Sequence, residues 1–218
     1  MARIFTQRKK SWNIPFKKRC RKMNTPKEFI DRFHQRTREH IDRVIKNAKQ
    51  IEKTKPGKFP GLIQQVKNHD NTKYEEPELT PNVWLTQHHY CKDNDMPFEY
   101  PEGMEEKVNK VTLHHIQNSA HHGEYHDPDK DKIKLGANRD ELKKICDSTT
   151  MPDDDIAEMV CDWAAMSQEL GDSLKGWADK NVNKRWKFTS EQVKLIYELV
   201  DILENNFEEN LKRVLSSI

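Results

Sequence analysis

The sequence has few of the features that mark disulfide-bonded or membrane-inserted proteins. Its four cysteines are scattered and form no C-x-x-C pair, which argues against a disulfide scaffold or a cysteine zinc site. No apolar run approaches the roughly 18–20 residues that a membrane-spanning helix needs, and the first residues lack the apolar core of a secretory signal. We therefore expect a soluble protein with reduced thiols in the cytoplasm, or in the host cytoplasm if the chain is viral.

Glycine and strand-like patterning are also scarce. The 218 residues include seven glycines, and no segment shows sustained alternation of apolar and polar residues, the pattern of a half-buried strand. Apolar residues recur instead at steps of three and four, as on one face of a helix. The sequence therefore predicts an all-α fold, with an arm of residues 1–24 and one helical domain of residues 25–218.

The start of the first helix is well marked. Thr25 is a suitable N-cap, Pro26 suits the first helical position, and Glu28 completes a capping pattern. This helix should run from Pro26 to about Lys53. Further helical segments are expected at 62–69, 83–89, 101–120, 139–147, 151–170 and 190–215.

Basic residues are concentrated at the N-terminus. Residues 1–22 contain nine lysines and arginines and no acidic residue, so the rest of the chain carries a net charge of −7 although the whole chain carries +2. Such a segment can bind nucleic acid or another polyanion, or serve as an address. The alternative is a solvated tail without a partner.

Histidine is the most informative residue type, because imidazoles and carboxylates are the usual ligands of zinc, iron and manganese. Most of the ten histidines fall in a few dense patches. His40 lies seven residues after Phe33 and four before Val44, beside the apolar stripe of the first helix. Asp162 lies three residues after Met159, so it too faces an apolar side. A carboxylate there is costly to bury unless a cation or several donors satisfy it.

His69 and Asp70 form an adjacent pair, and Lys73 follows three residues later. On a helical turn all three side chains point into one sector, which suits two ligands and a cation beside a phosphate. A lone histidine or a lone His-Asp pair is weak evidence, since each is common in structural roles. The ordered series of His40, His69-Asp70 and Asp162 on three helical segments is a much stronger indication.

This series resembles the H…HD…D signature of the HD superfamily of metal-dependent phosphohydrolases, which are helical bundles. The spacing of Lys73 is similar to the HD-x-x-K of the HD-GYP branch. A closer resemblance is to a small group of HD-like proteins, common in phages and bacteria, with H-x-x-N…H-H-x-E-Y and E-M-x-C-D-W motifs. The matching segments, within residues 36–200, are His115–Asn118, His121–Tyr125 and Glu158–Trp163.

The resemblance implies an HD-like helical bundle and a divalent transition metal (Mn, Fe, Co, Ni or Zn), one ion or two. Two imidazoles with two carboxylates suit these metals. Such a metal would lower the pKa of bound water and polarise a phosphoryl oxygen, and Lys73 would neutralise charge on the phosphate. The four ligands that the resemblance assigns are His40, His69, Asp70 and Asp162.

The resemblance leaves the remaining roles more open. Acid–base catalysis would fall to Glu124, to His121 or to a nearby carboxylate, and Asn118 would contact the substrate. Arg43 lies three residues after His40 on the same helix. It should therefore face the same pocket and bind the substrate phosphate.

His115 and His122 would supply a second metal site, as in HD enzymes with five or six ligands. The two residues are seven apart, about 10 Å along a straight helix, so both can reach one metal only if the helix breaks between them. The alternative is that these histidines line the pocket, bind substrate phosphate or are exposed. The related group usually has proline where Gly123 stands, so we expect a looser loop here.

Three functions are compatible with these features. The first is hydrolysis of a nucleotide or related phosphate ester, a small-molecule substrate suggested by the superfamily. The second is an HD-fold di-iron oxygenase, with both His115 and His122 as ligands. The third is a non-catalytic protein with a structural metal, whose residues 1–22 bind nucleic acid or another acidic partner. No membrane partner is expected, and the resemblance is compatible with a homodimer.

Overall fold

The computed structural model describes residues 26–136 and 144–215, with only the helix backbone described from residue 205 onward. The predicted basic arm of residues 1–24 lies outside the described residues. Among the described helices, none is both long and apolar enough to cross a membrane. The helices are α1 (Lys27–Thr54), α2 (Leu62–Gln65), α3 (Leu79–Asp93), α4 (Met104–Asn118), α5 (Asp153–Leu170), α6 (Leu174–Asn181) and α7 (Ser190–Leu215).

The core lies between α1, α5 and α7. Ten of the 18 residues of α5 are buried, because α1, α6 and α7 cover it from different sides. The buried residues of α1 recur mostly at steps of three and four and pack against α5. This helical architecture confirms the predicted fold class. The buried residues of α1 are Phe33, Thr37, His40, Val44, Asn47, Ala48 and Ile51.

The longest helices lie close to the predicted bounds. The first runs over Lys27–Thr54 and the last over Ser190–Leu215. Gly171 ends α5 in the left-handed conformation, with φ of 73°, which glycine adopts without steric cost. Local patterning is therefore sufficient to define these three elements.

Two other helices differ from the prediction. α3 is more than twice as long as the predicted segment 83–89, and Pro81 lies in its first turn. Proline is tolerated there because the N–H groups of the first turn have no intrahelical partner. α6 was not predicted; it begins after Ser173, whose hydroxyl accepts a hydrogen bond from the Gly176 N–H at 3.0 Å.

The described residues also contain two short strands, β1 (Cys146–Asp147) and β2 (Trp186–Lys187), which pair in parallel. The helix predicted for 139–147 is wrong at its end, because the Cys146 N–H donates to the carbonyl of Arg185 instead of to its own segment. The part of that prediction within 137–143 lies outside the described residues.

Candidate metal centre

Three separate elements bring the predicted ligands together. α1 supplies His40, α5 supplies Asp162, and the turn after the 3₁₀ segment Val66–Asn68 supplies His69 and Asp70. Asp70 has a positive φ of 58°, a left-handed conformation that aspartate adopts more readily than most residues. The adjacent pair therefore lies in a turn between two 3₁₀ segments, not on one continuous helical turn.

His40, His69 and Asp162 form the first ligand group. Nε2 of His40 lies 3.0 Å from Oδ1 of Asp162 and 3.3 Å from Nε2 of His69. Nε2 of His69 and Oδ1 of Asp162 are 3.8 Å apart. Ligands at right angles on an ion with bonds of about 2.1 Å are about 3 Å apart. The three atoms are therefore spaced as ligands of one metal ion could be.

Asp70 lies between this group and a second set of histidines. Its Oδ2 atom faces the first group, 3.6 Å from Nε2 of His69 and 3.8 Å from Nε2 of His40. Its Oδ1 atom faces the other set, 3.1 Å from Nε2 of His115 and 3.8 Å from Nε2 of His121. One carboxylate can therefore offer an oxygen to each of two adjacent sites.

The second ligand group consists of His115, His121 and His122. α4 ends at Asn118, and a turn closed by the His122 N–H and the carbonyl of Ser119 brings the next residues back against His115. Ligand nitrogens of the three rings lie within 4.8 Å of one another. The helix break needed for a second site is thus present. His121, predicted as an acid–base residue, lies among the candidate ligands.

Buried polar atoms remain unsatisfied at the junction of the two groups. Oδ1 of Asp70 and Nε2 of His115 face each other at 3.1 Å, yet neither has a hydrogen-bond partner among the described residues. Nδ1 of His40 is also buried and unpartnered within the described part. Each such atom costs about 1–3 kcal/mol. A cation between Asp70 and His115 would satisfy both atoms, so the donor set fits a metal ion.

Two glutamates contact the far side of the imidazole rings. Oε1 of Glu158 accepts a hydrogen bond from Nδ1 of His69 at 2.8 Å and lies 3.6 Å from Nδ1 of His121. Oε2 of Glu78 accepts from Nδ1 of His115 at 3.0 Å. A proton fixed on Nδ1 leaves Nε2 available to a metal. Glu158 belongs to a motif recognised in the sequence, whereas nothing in the loop-like sequence around Glu78 indicated its role.

Comparison with known proteins places this cluster within one family. Residues 30–215 match the model of a family of unknown function, DUF5662. The chain belongs to this family. No curated protein and no solved structure matches the chain. The DUF5662 match includes both ligand groups and both glutamates, while the HD resemblance and the enzymatic activity stay predictions.

The carboxylates of the DUF5662 cluster are held in the ionised form. Burial raises the pKa of Asp70, but the nearby charges of Lys73 and His69 outweigh it and hold the pKa well below its usual range. Burial likewise opposes ionisation of Asp162, but contacts with His40 and His69 lower its pKa well below the usual range. Both carboxylates are therefore anionic at neutral pH and available to a cation.

The histidines of the cluster differ in protonation. Burial opposes protonation of His69, but neighbouring carboxylates, Asp70 foremost, raise its pKa to about 10. Burial and the charge of His69 hold the pKa of His121 well below its usual range. Burial and the charge of His115 lower the pKa of His122 to about 3. Two rings thus offer unprotonated nitrogens, whereas His69 must lose a proton before it binds a metal.

Of the predicted substrate-binding residues, Lys73 reaches the cluster and Arg43 makes other contacts. Nζ of Lys73 lies 2.6 Å from Oδ2 of Asp70. The guanidinium of Arg43 lies 3.4 Å from Glu169 and 3.8 Å from Glu39, so its nearest anions are glutamates outside the ligand groups. A role for Arg43 in binding phosphate stays a prediction.

Asn118 and Glu124 also lie outside the two ligand groups. The exposed amide of Asn118 donates to the carbonyl of His114 at 2.7 Å, within its own helix. Glu124 is fully buried, and its Oε1 atom accepts from the guanidinium of Arg185 at 3.1 Å. The substrate contact of Asn118 and the acid–base role of Glu124 stay predictions.

Gly123 is tightly packed, which corrects the expectation of a looser loop. A Cβ atom at this position would lie 2.6 Å from Oγ of Ser148 and 2.6 Å from Cδ1 of Trp186. The Ser148 hydroxyl also donates to the Gly123 carbonyl at 3.0 Å. Because His121 and His122 immediately precede Gly123, this packing holds the loop that supplies two candidate ligands in this DUF5662 chain.

Proposed function

We propose that this protein is a metal-dependent phosphohydrolase of the HD type, acting on a nucleotide or a related phosphate ester. The observation that supports this most is the position of Asp70, whose two oxygens face two different ligand groups. The HD resemblance adds an expected ligand series, and its members His40, His69 and Asp162 lie together around one point.

In this proposal Asp70 is shared by two metal subsites. Mixed nitrogen and oxygen ligands suit Mn, Fe, Co, Ni or Zn. A bound divalent metal supplies Lewis acidity toward phosphate oxygens and lowers the pKa of coordinated water. Asp70 completes a first subsite of His40, His69 and Asp162 and a second subsite of His115, His121 and His122.

The protein's own side chains supply substrate binding and orientation. The side chain of Lys73 is 26% exposed, and its ammonium group lies beside Asp70. It can therefore pair with the oxygens of a phosphate that approaches the cluster from solvent, and stabilise the charge that builds up on them. Glu78 and Glu158 hold their imidazoles in fixed orientations, which reduces the reorganisation needed when ligands bind.

Metal content measured together with hydrolysis tests the proposal. Wild type, Asp70→Asn and the control Asp201→Asn, at an exposed position of α7, are loaded with each of the five metals and desalted. Metal is measured by inductively coupled plasma mass spectrometry, and hydrolysis with bis(p-nitrophenyl) phosphate and a nucleotide panel. We expect wild type and control to retain two metal equivalents per chain and to show metal-dependent hydrolysis. Asp70→Asn should retain no metal and hydrolyse no ester. A wild type that binds none of the metals, or binds them without hydrolysing any ester, would contradict the proposal.

A second candidate is an HD-fold di-iron oxygenase. The grouping of His115, His121 and His122 favours it, because imidazole suits iron and the oxygenase requires a second metal. The two activities can be separated by their reactants. Oxygen uptake by the Fe(II)-loaded protein supports the oxygenase, whereas phosphate-ester cleavage by the Mn(II)-loaded protein without oxygen supports the hydrolase.

The role of residues 1–22 is also a proposal, because this segment lies outside the described residues. Its nine basic side chains suit nucleic acid or another polyanion. Deletion of residues 1–22 should weaken binding to DNA and leave hydrolysis of small substrates unchanged. A full chain that binds metal and DNA, but neither hydrolyses a phosphate ester nor consumes oxygen, would favour the non-catalytic alternative with a structural metal. Sedimentation of the full chain tests the proposed homodimer.

A further inference from the structure

We propose that Glu78 is a positioning residue that assembles the second ligand group, by holding His115 so that its Nε2 atom faces Asp70. This inference rests on the proposed two-metal function. Glu78 lies just before α3 and is only 3% exposed, although the glutamates at 75 and 76 in the same turn are exposed. A buried carboxylate is costly unless it is paired, so its partners indicate its role.

The partners of Glu78 connect the second ligand group to the turn that contains Asp70. Its Oε2 atom accepts hydrogen bonds from Nδ1 of His115 at 3.0 Å and from the Thr72 hydroxyl at 3.2 Å. Thr72 follows Asp70 by two residues. The backbone of Glu78 is itself held, since its carbonyl accepts from both the main-chain and side-chain nitrogens of Asn82. The carboxylate is therefore a fixed point against which the His115 ring is oriented.

The consequence for His115 is a defined role for each ring nitrogen. A carboxylate only accepts hydrogen bonds, so the nitrogen that faces Glu78, Nδ1, carries a proton, and Nε2 is the nitrogen left for a metal to bind. That Nε2 atom is the one that lies 3.1 Å from Oδ1 of Asp70. Glu158 makes the equivalent contact with His69 in the first group, at 2.8 Å. Each ligand group thus has one imidazole oriented by a buried glutamate.

A purely structural role for Glu78 would have a different basis. An acidic residue at the start of α3 is favoured by the helix dipole, and such a role affects the stability of α3 without affecting metal stoichiometry. A positioning role affects the second metal equivalent selectively. Glutamine at residue 78 keeps a hydrogen-bond acceptor for Nδ1 of His115 but loses the negative charge, so it should preserve part of the positioning effect.

Titration of the metal-free full chain with Mn(II) alone tests this inference. Bound metal is counted by electron paramagnetic resonance, which distinguishes a coupled Mn pair from a single ion. We expect wild type to bind two equivalents. Glu78→Ala should keep the first and bind the second about 10–100-fold more weakly, the range for loss of an outer-shell partner. Glu78→Gln should weaken the second equivalent less than Glu78→Ala does. The exposed control Glu75→Ala should match wild type.

Each other outcome overturns the inference and identifies what failed. If wild type binds two equivalents and Glu78→Ala binds both with wild-type affinity, Glu78 does not position the site, although the two-metal function stands. Equal weakening of both equivalents in folded Glu78→Ala would indicate a general structural role. If Glu78→Ala does not fold, an unchanged second equivalent in Glu78→Gln overturns the inference. If wild type binds only one equivalent, there is no second subsite and the inference fails. If wild type binds no metal, the proposed function fails as well.

Discussion

Oδ1 of Asp70 lies 3.1 Å from Nε2 of His115, and neither of these buried atoms has a hydrogen-bond partner within the described part of the chain. The contact joins the turn that follows α2 to the C-terminal end of α4, and it is where the two ligand groups meet. A cation at this point would give both atoms a partner. Most measurable consequences of the structure therefore concern metal uptake.

Asp70 and His40 should differ in how many metal ions they affect. Asp70 faces both ligand groups, whereas His40 belongs to the first group alone. Asp70→Ala should weaken both equivalents by more than about 100-fold, since a ligand matters more than its outer-shell partner. His40→Ala should weaken only one equivalent. Competition with a fluorescent chelator measures the affinity of each variant for each equivalent. His34→Ala, on the same helix, is the control. Identical losses in the two variants would argue against a shared Asp70.

Metal uptake should release protons. In the metal-free protein the pKa of His69 is about 10, above its ordinary value of 6.5, so the ring holds a proton at neutral pH that a metal must displace. The apparent affinity should rise about tenfold per pH unit for each proton released, from about pH 7 to about pH 9. Isothermal titration calorimetry in two buffers of different ionisation enthalpy counts the protons. No release near neutral pH would contradict this assignment.

The same pKa shift affects the stability of the metal-free protein. Because the pKa of His69 is raised on folding, its contribution to stability is fully present below pH 6.5 and is lost as the pH rises through about 10. The metal-loaded protein should not show this loss from His69, since the metal replaces the proton. Denaturant unfolding from pH 6.5 to about pH 10, with and without a chelator, measures the free energy of unfolding of the two forms. Parallel pH profiles for the metal-free and metal-loaded protein would contradict this prediction.

Lys73 should affect hydrolysis more than metal binding. Its ammonium group contacts Oδ2 of Asp70 and remains partly exposed, so it is positioned to bind phosphate without being a metal ligand. Lys73→Gln should lower kcat/KM for bis(p-nitrophenyl) phosphate by about 10²–10³-fold, the effect of losing one charge-stabilising donor. Two metal equivalents should remain. Lys67→Gln, an exposed lysine nearby, is the control. Loss of metal in Lys73→Gln would show that Lys73 supports the site instead.

Gly123 should not tolerate a side chain. A Cβ atom there would lie 2.6 Å from Ser148 and Trp186, and such overpacking costs about 1–3 kcal/mol. Gly123→Ala should therefore lower Tm by about 2–4 °C for each kcal/mol lost. It should also weaken metal binding through His122. In Gly176→Ala the new Cβ would meet Ser173 at an ordinary 3.4 Å, and alanine is favoured over glycine within a helix such as α6 by up to about 1 kcal/mol, so this control should unfold at or above the wild-type Tm. Equal Tm values for the two variants would contradict the packing argument.

Local patterning predicted a large part of the candidate site. His40 lies on the buried stripe of α1, and Asp162 lies on α5 at the spacing expected for its core-facing side. Both positions follow from a 3.6-residue period that acts within one helix. Glu78 could not be found in this way, because its contact with His115 joins residues 37 positions apart in the sequence. The residues just before it, 75–77, are exposed and resemble a loop.

The sequence alone determined the all-α class, the bounds of the longest helices and the ordered series of histidines and aspartates, since each depends on neighbours a few residues away. Tertiary structure decided which of those side chains meet. The end of α4 at Asn118 brought His121 into the second group, and long-range pairing made Cys146 part of a strand instead of a helix. These outcomes depend on packing between segments distant in sequence, on which local periodicity places no constraint.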